Sequence, residues 1–306
     1  MNYNNIYKIN TRNKTTKMQK SKILILLISI LIIILLLIIL IYSIDTIKRY
    51  NVYKEYETQL ISLKEEEQKK QEQIAIEKEK ERQAKIPKLT EKGIQNIDKI
   101  YNSETKRVFL TFDDGPSTVT PTILDILKQQ NVKATFFVLG SRVEAMPEVV
   151  SRMYEEGHYI ANHGYSHVYE TIYASPQSVL DEFNKCNEAV KTAINVPEYN
   201  SHLFRFPGGL VGGKYAEIKA QAKSLLNENN IVNVDWNALI GDSEKNNATV
   251  DFLIQRMQET VATKNSVVIL MHDAQAKKTT VDALPQVIQY LTEQGYKFKN
   301  FYDIIK

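Results

Sequence analysis

The sequence has almost no cysteine, and its first 86 residues have no glycine and no proline. Cys186 is the one cysteine in 306 residues. A single thiol excludes an internal disulfide framework and any multi-cysteine zinc site. Cys186 itself reads as a small buried apolar residue. The first proline is Pro87 and the first glycine Gly93, so no strong helix breaker precedes them. Residues 1–22 contain no acid but carry six bases (Lys8, Arg12, Lys14, Lys17, Lys20, Lys22), and residues 23–44 contain no charge. The net charge of +3 therefore belongs to the tail. From residue 87 onward acids outnumber bases by three, so the folded part has no basic footprint for nucleic acid.

The run Ile23–Tyr42 is Ile and Leu, broken by Ser29 and ended by a tyrosine. About 20 such residues span a bilayer as a helix. A signal-peptide core is shorter and ends in a small-residue cleavage site, which the flank Ile41-Tyr42-Ser43-Ile44-Asp45 lacks. Residues 1–22 are thus expected to be a basic cytoplasmic tail and 23–44 an uncleaved single-pass anchor in the cell membrane. The bases ahead of the anchor keep the N-terminus inside and send the rest outside. Residues 45–86 carry ten charges of each sign, including Glu65/Lys69, Glu66/Lys70 and Glu81/Lys85 at helix-supporting i,i+4 spacing. The apolar seam Tyr53-Tyr56-Leu60-Leu63 stops at Glu67 and Lys70, too short for a sustained coiled coil. A solvated helical stalk with weak self-association near the membrane is expected; a disordered charged linker is the alternative.

Residues 87–306 have the texture of an α/β catalytic domain. Short apolar runs at Arg107–Phe112, Ala134–Val138, Tyr159–Asn162, Leu203–Phe206, Ile231–Trp236, Ser266–His272 and Tyr296–Asn300 alternate with amphipathic segments. The latter are Pro121–Gln130, Pro147–Glu156, Ser175–Ala193, Ala216–Glu228, Val250–Thr263 and Val281–Glu293. Such alternation predicts a parallel sheet with right-handed crossovers. Seven strands in about 200 residues suit a closed or nearly closed barrel.

Polar residues fall at the ends of these strands. Asp113 and Asp114 end the first, His163 and His167 follow the third, Arg205 lies on the fourth, Asp242 follows the fifth and His272 ends the sixth. In a parallel barrel the carboxyl ends share one rim, where active sites form. Each residue alone also suits a turn or a satisfied core position; their convergence is the stronger sign. His158 and His202 have no such placement and read as surface or loop residues.

The motifs TFDDGP, His163-x-x-x-His167, Arg205-x-Pro207, Asp242 and Leu270-x-His272, in that order, resemble the polysaccharide deacetylases of carbohydrate esterase family 4. The resemblance covers residues 106–306. It implies a distorted (β/α) barrel with about seven parallel strands, a divalent metal (zinc, with cobalt as alternative) and hydrolysis of N-acetyl groups on N-acetylhexosamine polymers. It makes Asp114, His163 and His167 the metal ligands, Asp113 the general base and His272 the general acid. Arg205 is expected to hold Asp113 ionised, and Asp242 to hold Arg205. The Gly208 N–H would meet the oxyanion, and Leu270 and Trp236 would line the substrate site. Gly164, Gly208 and Ser243 depart from the family's usual hydroxyl, tyrosine and tryptophan.

A metalloprotease would need H-E-x-x-H, and HGYSH lacks the glutamate. A glycosidase needs carboxylates about 5–9.5 Å apart across the bond, which adjacent aspartates do not offer. The tether favours peptidoglycan N-acetylglucosamine as substrate. Chitin oligomers, another N-acetylhexosamine polymer, or a non-catalytic wall-binding scaffold are the alternatives.

Overall fold

The structure, a computed structural model, describes residues 3–305, with side chains from residue 16; Lys8, Arg12 and Lys14 of the tail lie outside the described side chains. It divides into two units, Met1–Glu79 and Lys80–Lys306.

The described residues of the first unit belong to one helix, α1 (Tyr3–Ala84), unbroken as the lack of glycine and proline predicts. Its few hydroxyls do not interrupt the apolar surface. Ser29 Oγ donates to Ile25 O (2.9 Å) and Ser43 Oγ to Ile39 O (2.8 Å), each satisfied within the helix as an apolar surrounding requires. Among the described residues this is the one helix long and apolar enough to cross a membrane. Residues 45–79 are exposed throughout.

The second unit begins with α2 (Glu91–Asp98) and β1 (Arg107–Asp113). It continues through α3 (Thr120–Gln129), β2 (Thr135–Val138), α4 (Gly140–Ala145), α5 (Pro147–Glu155) and β3 (Tyr159–Asn162). Next come α6 (Tyr169–Ile172), α7 (Pro176–Ile194), β4 (Leu203–Phe204), α8 (Ala216–Glu228), β5 (Val232–Asn233) and β6 (Ala238–Leu239). The chain ends with α9 (Val250–Val261), β7 (Ser266–His272), α10 (Lys278–Glu293), β8 (Lys297–Lys299) and a 3₁₀ turn. Helix starts follow local chemistry. Pro176 opens α7 behind the Ser175 cap, whose Oγ accepts from Ser178 N, and Thr249 caps α9 likewise.

Every strand pairing is parallel, in the order β5-β4-β3-β2-β1-β7-β6, with β8 on β1. This is a curled half-barrel whose main path has seven strands, with β8 added on β1, and it stays open at one seam. The expected fifth strand, Ile231–Trp236, is reduced to β5, paired with β4, and a separate short strand beyond it, β6, pairs with β7. The edge strands are thus consecutive in the chain, separated by residues 234–237. Five extended residue steps reach at most about 18 Å, so the two edges must curl toward each other.

Strand alternation sorts the side chains into two layers. Val108, Leu110 and Phe112 of β1 join the cluster that includes Ile123, Cys186, Leu253 and Leu284 of the covering helices. Phe109, Phe137, Tyr159, Ala161, Leu203 and Val268 face inward, packed with Phe301, Ile305 and Ile97. The same parity carries Asp113, His163, Arg205 and His272 into the inner face at the carboxyl ends.

Candidate active site

Asp113 lies in register with His272 across β1 and β7, and the residue is 2% exposed. Asp114 has φ +73°, so the alternation ends there and the next acid turns onto the same rim. A third acid shapes this turn. A Cβ on Gly115 would lie 2.0 Å from Asp273 Oδ2, so only glycine fits beside it. Thr120 Oγ1 donates to Asp273 Oδ2 (2.7 Å), Ser117 Oγ to Asp273 O (2.5 Å) and Asp273 N to Asp113 O (3.1 Å). Burial lifts the Asp273 pKa to about 7, with the Thr120 bond opposing it.

Asp114 Oδ1 is 3.5 Å from His163 Nε2 and 3.3 Å from His167 Nε2. One donor atom from each of the three residues lies within 4.8 Å of the others. Asp114 Oδ1 is buried and accepts no hydrogen bond. His163 Nδ1 lies 2.7 Å from Arg205 O; because a carbonyl only accepts, Nδ1 carries the proton and Nε2 keeps its lone pair. Burial, against the pull of Asp114, drops the His163 pKa to about 3, so the ring is neutral, as a ligand must be. One orphaned carboxylate oxygen and two imidazoles fit a divalent ion with coordination positions to spare.

Arg205 fills the seam. Its Nε donates to Val234 O (2.9 Å) and its Nη2 to Asp235 O (3.1 Å). Nη1 donates to Thr111 Oγ1 (2.8 Å) and Asp113 Oδ1 (2.7 Å). The expected Arg205–Asp113 contact is present, but its electrostatic effect is outweighed. Burial raises the Asp113 pKa above the ordinary carboxylate value despite the Arg205 charge.

Asp242 does not hold Arg205, contrary to expectation; it holds His272. Asp242 Oδ1 accepts from His272 Nδ1 (2.8 Å), and Oδ2 accepts from His272 N (2.8 Å) and Thr280 Oγ1 (2.9 Å). The reason is topological. Arg205 reaches residues 234 and 235 just beyond β5, whereas Asp242 follows β6 and so lies beside β7. Burial lowers the His272 pKa, but the Asp242 bond and charge, aided by Asp113 and Asp114, lift it to about 9.

The Pro207–Leu210 loop is clamped. Tyr173 Oη donates to Pro207 O (2.7 Å), Lys219 Nζ to Gly209 O (2.7 Å), and Leu210 N to Asp235 Oδ2 (3.1 Å). The Gly208 N–H finds no partner among the described residues. Gly208 has φ +75°, and a Cβ there would lie 2.6 Å from Tyr169 Oη. Leu270 sits on the inner face of β7, two residues before His272, and is 6% exposed. Trp236 is partly buried against the inner cluster, and its ring lies 3.1 Å from where a Gly209 Cβ would be.

Sequence reasoning missed Glu182. Its Oε2 accepts from Tyr165 N (2.6 Å) and Ser166 N (2.7 Å), inside the loop joining the two histidines. The missing hydroxyl at Gly164 does not leave this loop unsupported: a Cβ there, at φ +89°, would meet Ile172 at 2.9 Å and Glu182 Oε2 at 3.3 Å. A sign was available, because Glu182 is an acid within the buried stripe Val179, Phe183, Cys186 and Val190. His158 is likewise no surface residue. It is fully buried, its Nδ1 accepts from Ala134 N (3.1 Å), and burial drops its pKa to about 3. His202 sits in a loop, its Nδ1 bonded to Asn230 O (2.9 Å).

Residues 101–225 match the polysaccharide deacetylase family. A peptidoglycan-N-acetylglucosamine deacetylase of Bacillus cereus is 31% identical over 207 residues, covering 66% of this chain and 72% of the relative. The peptidoglycan-N-acetylglucosamine deacetylase PgdA of Listeria monocytogenes is 36% identical over 194 residues, covering 63% of this chain but 37% of that longer protein. Among solved structures, a CE4 esterase of Streptococcus mutans superposes with a TM-score of 0.62 at 32% identity, covering 67% of this chain and 90% of the other.

Proposed function

The chain belongs to the polysaccharide deacetylases of carbohydrate esterase family 4, hydrolases of the amide bond in N-acetyl groups, and from that premise we propose that it is a membrane-anchored, metal-dependent deacetylase of N-acetylglucosamine in cell-wall peptidoglycan. The observation that carries this reading is the convergence of Asp113, the Asp114/His163/His167 cluster and His272 on one rim.

Asp114, His163 and His167 would hold the ion, zinc or alternatively cobalt. A divalent ion there would polarise the acetyl carbonyl and acidify water. Asp113 takes the proton of the attacking water; its raised pKa makes it the stronger base. Arg205 fixes that carboxylate with one bond and, through its own carbonyl, the tautomer of His163. The unpartnered Gly208 N–H faces the developing oxyanion. His272, held protonated by Asp242, donates to the departing amine, which leaves poorly as an anion. Leu270 and Trp236 serve as apolar walls for the acetyl group and sugar.

Residues 1–22 form the cytoplasmic tail, 23–44 the anchor, 45–86 the stalk and 87–306 the catalytic domain, which works outside the cell membrane. The helix over residues 45–79 is about 50 Å long at about 1.5 Å per residue. An enzyme tethered at that range meets nascent wall glycan and rarely meets exogenous chitin. The names of the relatives support the same substrate. Deacetylation leaves amines that are cationic near neutral pH, which alters how wall hydrolases bind the strand.

The test is acetate release by the full chain from peptidoglycan and from chitin oligomers, side by side. Acetate from neither substrate sinks the enzymatic reading. Efficient release from chitin alone, with unchanged wall glucosamine in a deletion strain, overturns the peptidoglycan assignment. Protease added to intact spheroplasts should remove the catalytic domain; protection would refute the topology.

A further inference from the structure

Tyr169 lies two residues beyond His167, at the start of α6, and is half-buried. Its ring centroid is 5.7 Å from that of His167, 5.6 Å from Tyr173 and 6.3 Å from Tyr215. Three rings therefore fix its position on the rim. Its hydroxyl occupies the space over Gly208, where a Cβ would come within 2.6 Å of it. The two neighbouring phenols are engaged by the protein: Tyr173 Oη donates to Pro207 O (2.7 Å), and Tyr215 Oη donates to Glu170 Oε1 (3.4 Å). Among the described residues the Tyr169 hydroxyl has no partner.

Two donors, the Gly208 N–H and the Tyr169 O–H, thus sit side by side without protein acceptors. The Tyr169 ring borders the Asp114/His163/His167 cluster through His167. A half-buried donor that the protein leaves unsatisfied is costly unless water or a ligand takes it. A tyrosine phenol is protonated near neutral pH and can act as a donor. The ring itself offers an apolar face of the kind that packs against a pyranose.

We propose that Tyr169 is a substrate-contacting residue whose hydroxyl donates to the acetamido sugar beside the Gly208 N–H, while its ring walls the sugar site. This rests on the deacetylase reading above, and it adds a binding residue that lies outside the five motifs. No atom of the ion cluster is involved, so the role is separable from metal binding.

The experiment compares wild type, Tyr169→Phe and Tyr169→Ala, each as the full chain loaded with zinc, on N-acetylglucosamine oligomers. Acetate release and zinc affinity by chelator competition are both measured. Tyr169→Phe keeps the wall and removes the donor, so kcat/KM should fall about 3- to 10-fold, the worth of one hydrogen bond, with zinc affinity unchanged. Tyr169→Ala should fall further, mainly through KM. Wild-type kinetics in Tyr169→Phe overturns the proposal. A loss of zinc affinity matching the loss of rate also overturns it, because the residue would then act through His167. A wild-type enzyme that releases no acetate from any glycan fails the deacetylase reading, and the proposal falls with it.

Discussion

The guanidinium of Arg205 meets the carboxylate of Asp113 at 2.7 Å, with both side chains almost wholly withdrawn from solvent. Arg205 also supplies hydrogen bonds to Thr111, Val234 and Asp235, so no single point charge can replace it. Arg205→Ala strands a buried carboxylate and should cost about 3–5 kcal/mol. Arg205→Lys should recover only part of that stability and little activity, because an ammonium cannot reach the seam carbonyls and Asp113 together. Urea unfolding and acetate release check both; a lysine variant equal to wild type would show that the fork geometry is irrelevant.

The bond between Asp242 and His272 predicts a pH effect. The His272 pKa is raised to about 9, so the proposed general acid stays protonated through neutral pH. Asp242→Asn removes the charge that opposes burial. The alkaline limb of kcat/KM should therefore move to lower pH at matched metal loading. Stability follows the same linkage: the contribution of this pair is complete below the ordinary histidine value of about 6.5 and is lost as pH rises through about 9. The stability advantage of wild type over Asp242→Asn should shrink across that window. An unmoved alkaline limb would remove His272 from the acid role.

The adjacent acids should separate cleanly. Asp113→Asn should retain metal and lose turnover by about 10²–10⁴-fold, the contribution of a general base. Asp114→Asn should lose metal stoichiometry, as should His163→Ala. Metal analysis alongside acetate release decides it: an empty site in Asp113→Asn would mean the two roles are reversed.

Glu182 anchors the loop between the two histidines through the N–H groups of Tyr165 and Ser166. Glu182→Ala should weaken zinc binding about 10- to 100-fold, the usual effect of losing an outer-shell support. Glu182→Gln keeps one oxygen that can accept both bonds and should recover much of the loss. Chelator competition on fully folded protein checks this; unchanged affinity in the alanine variant would reduce Glu182 to a packing residue.

Much of this was legible because strand parity and strand ends are local properties. Asp113, His163, Arg205 and His272 could be set on one rim from the alternation of apolar runs, and Asp114 follows Asp113 directly at the strand end. The partnership of Asp242 was not legible. It depends on β6, a two-residue strand with no periodicity of its own, and on a contact across 30 residues. His158 was misread because a buried neutral imidazole and an exposed one have the same letter. Its burial depends on packing with residues distant in the chain, including Phe136, whose ring it meets edge-on at 5.5 Å.

The two edge strands of the half-barrel are only two residues long each, Val232–Asn233 and Ala238–Leu239. The seam beside them is already engaged: the Arg205 guanidinium takes the carbonyls of Val234 and Asp235, and the Asn237 side chain bonds Ser266 O and Val268 N like a substitute peptide group. A sheet edge ordinarily invites another chain to add a strand. Here each edge offers so short a run of pairing groups that no neighbour could extend it in register. Crowded copies of this domain would therefore resist edge-to-edge aggregation through the shortness of their last strands, without needing charged or proline guards along them.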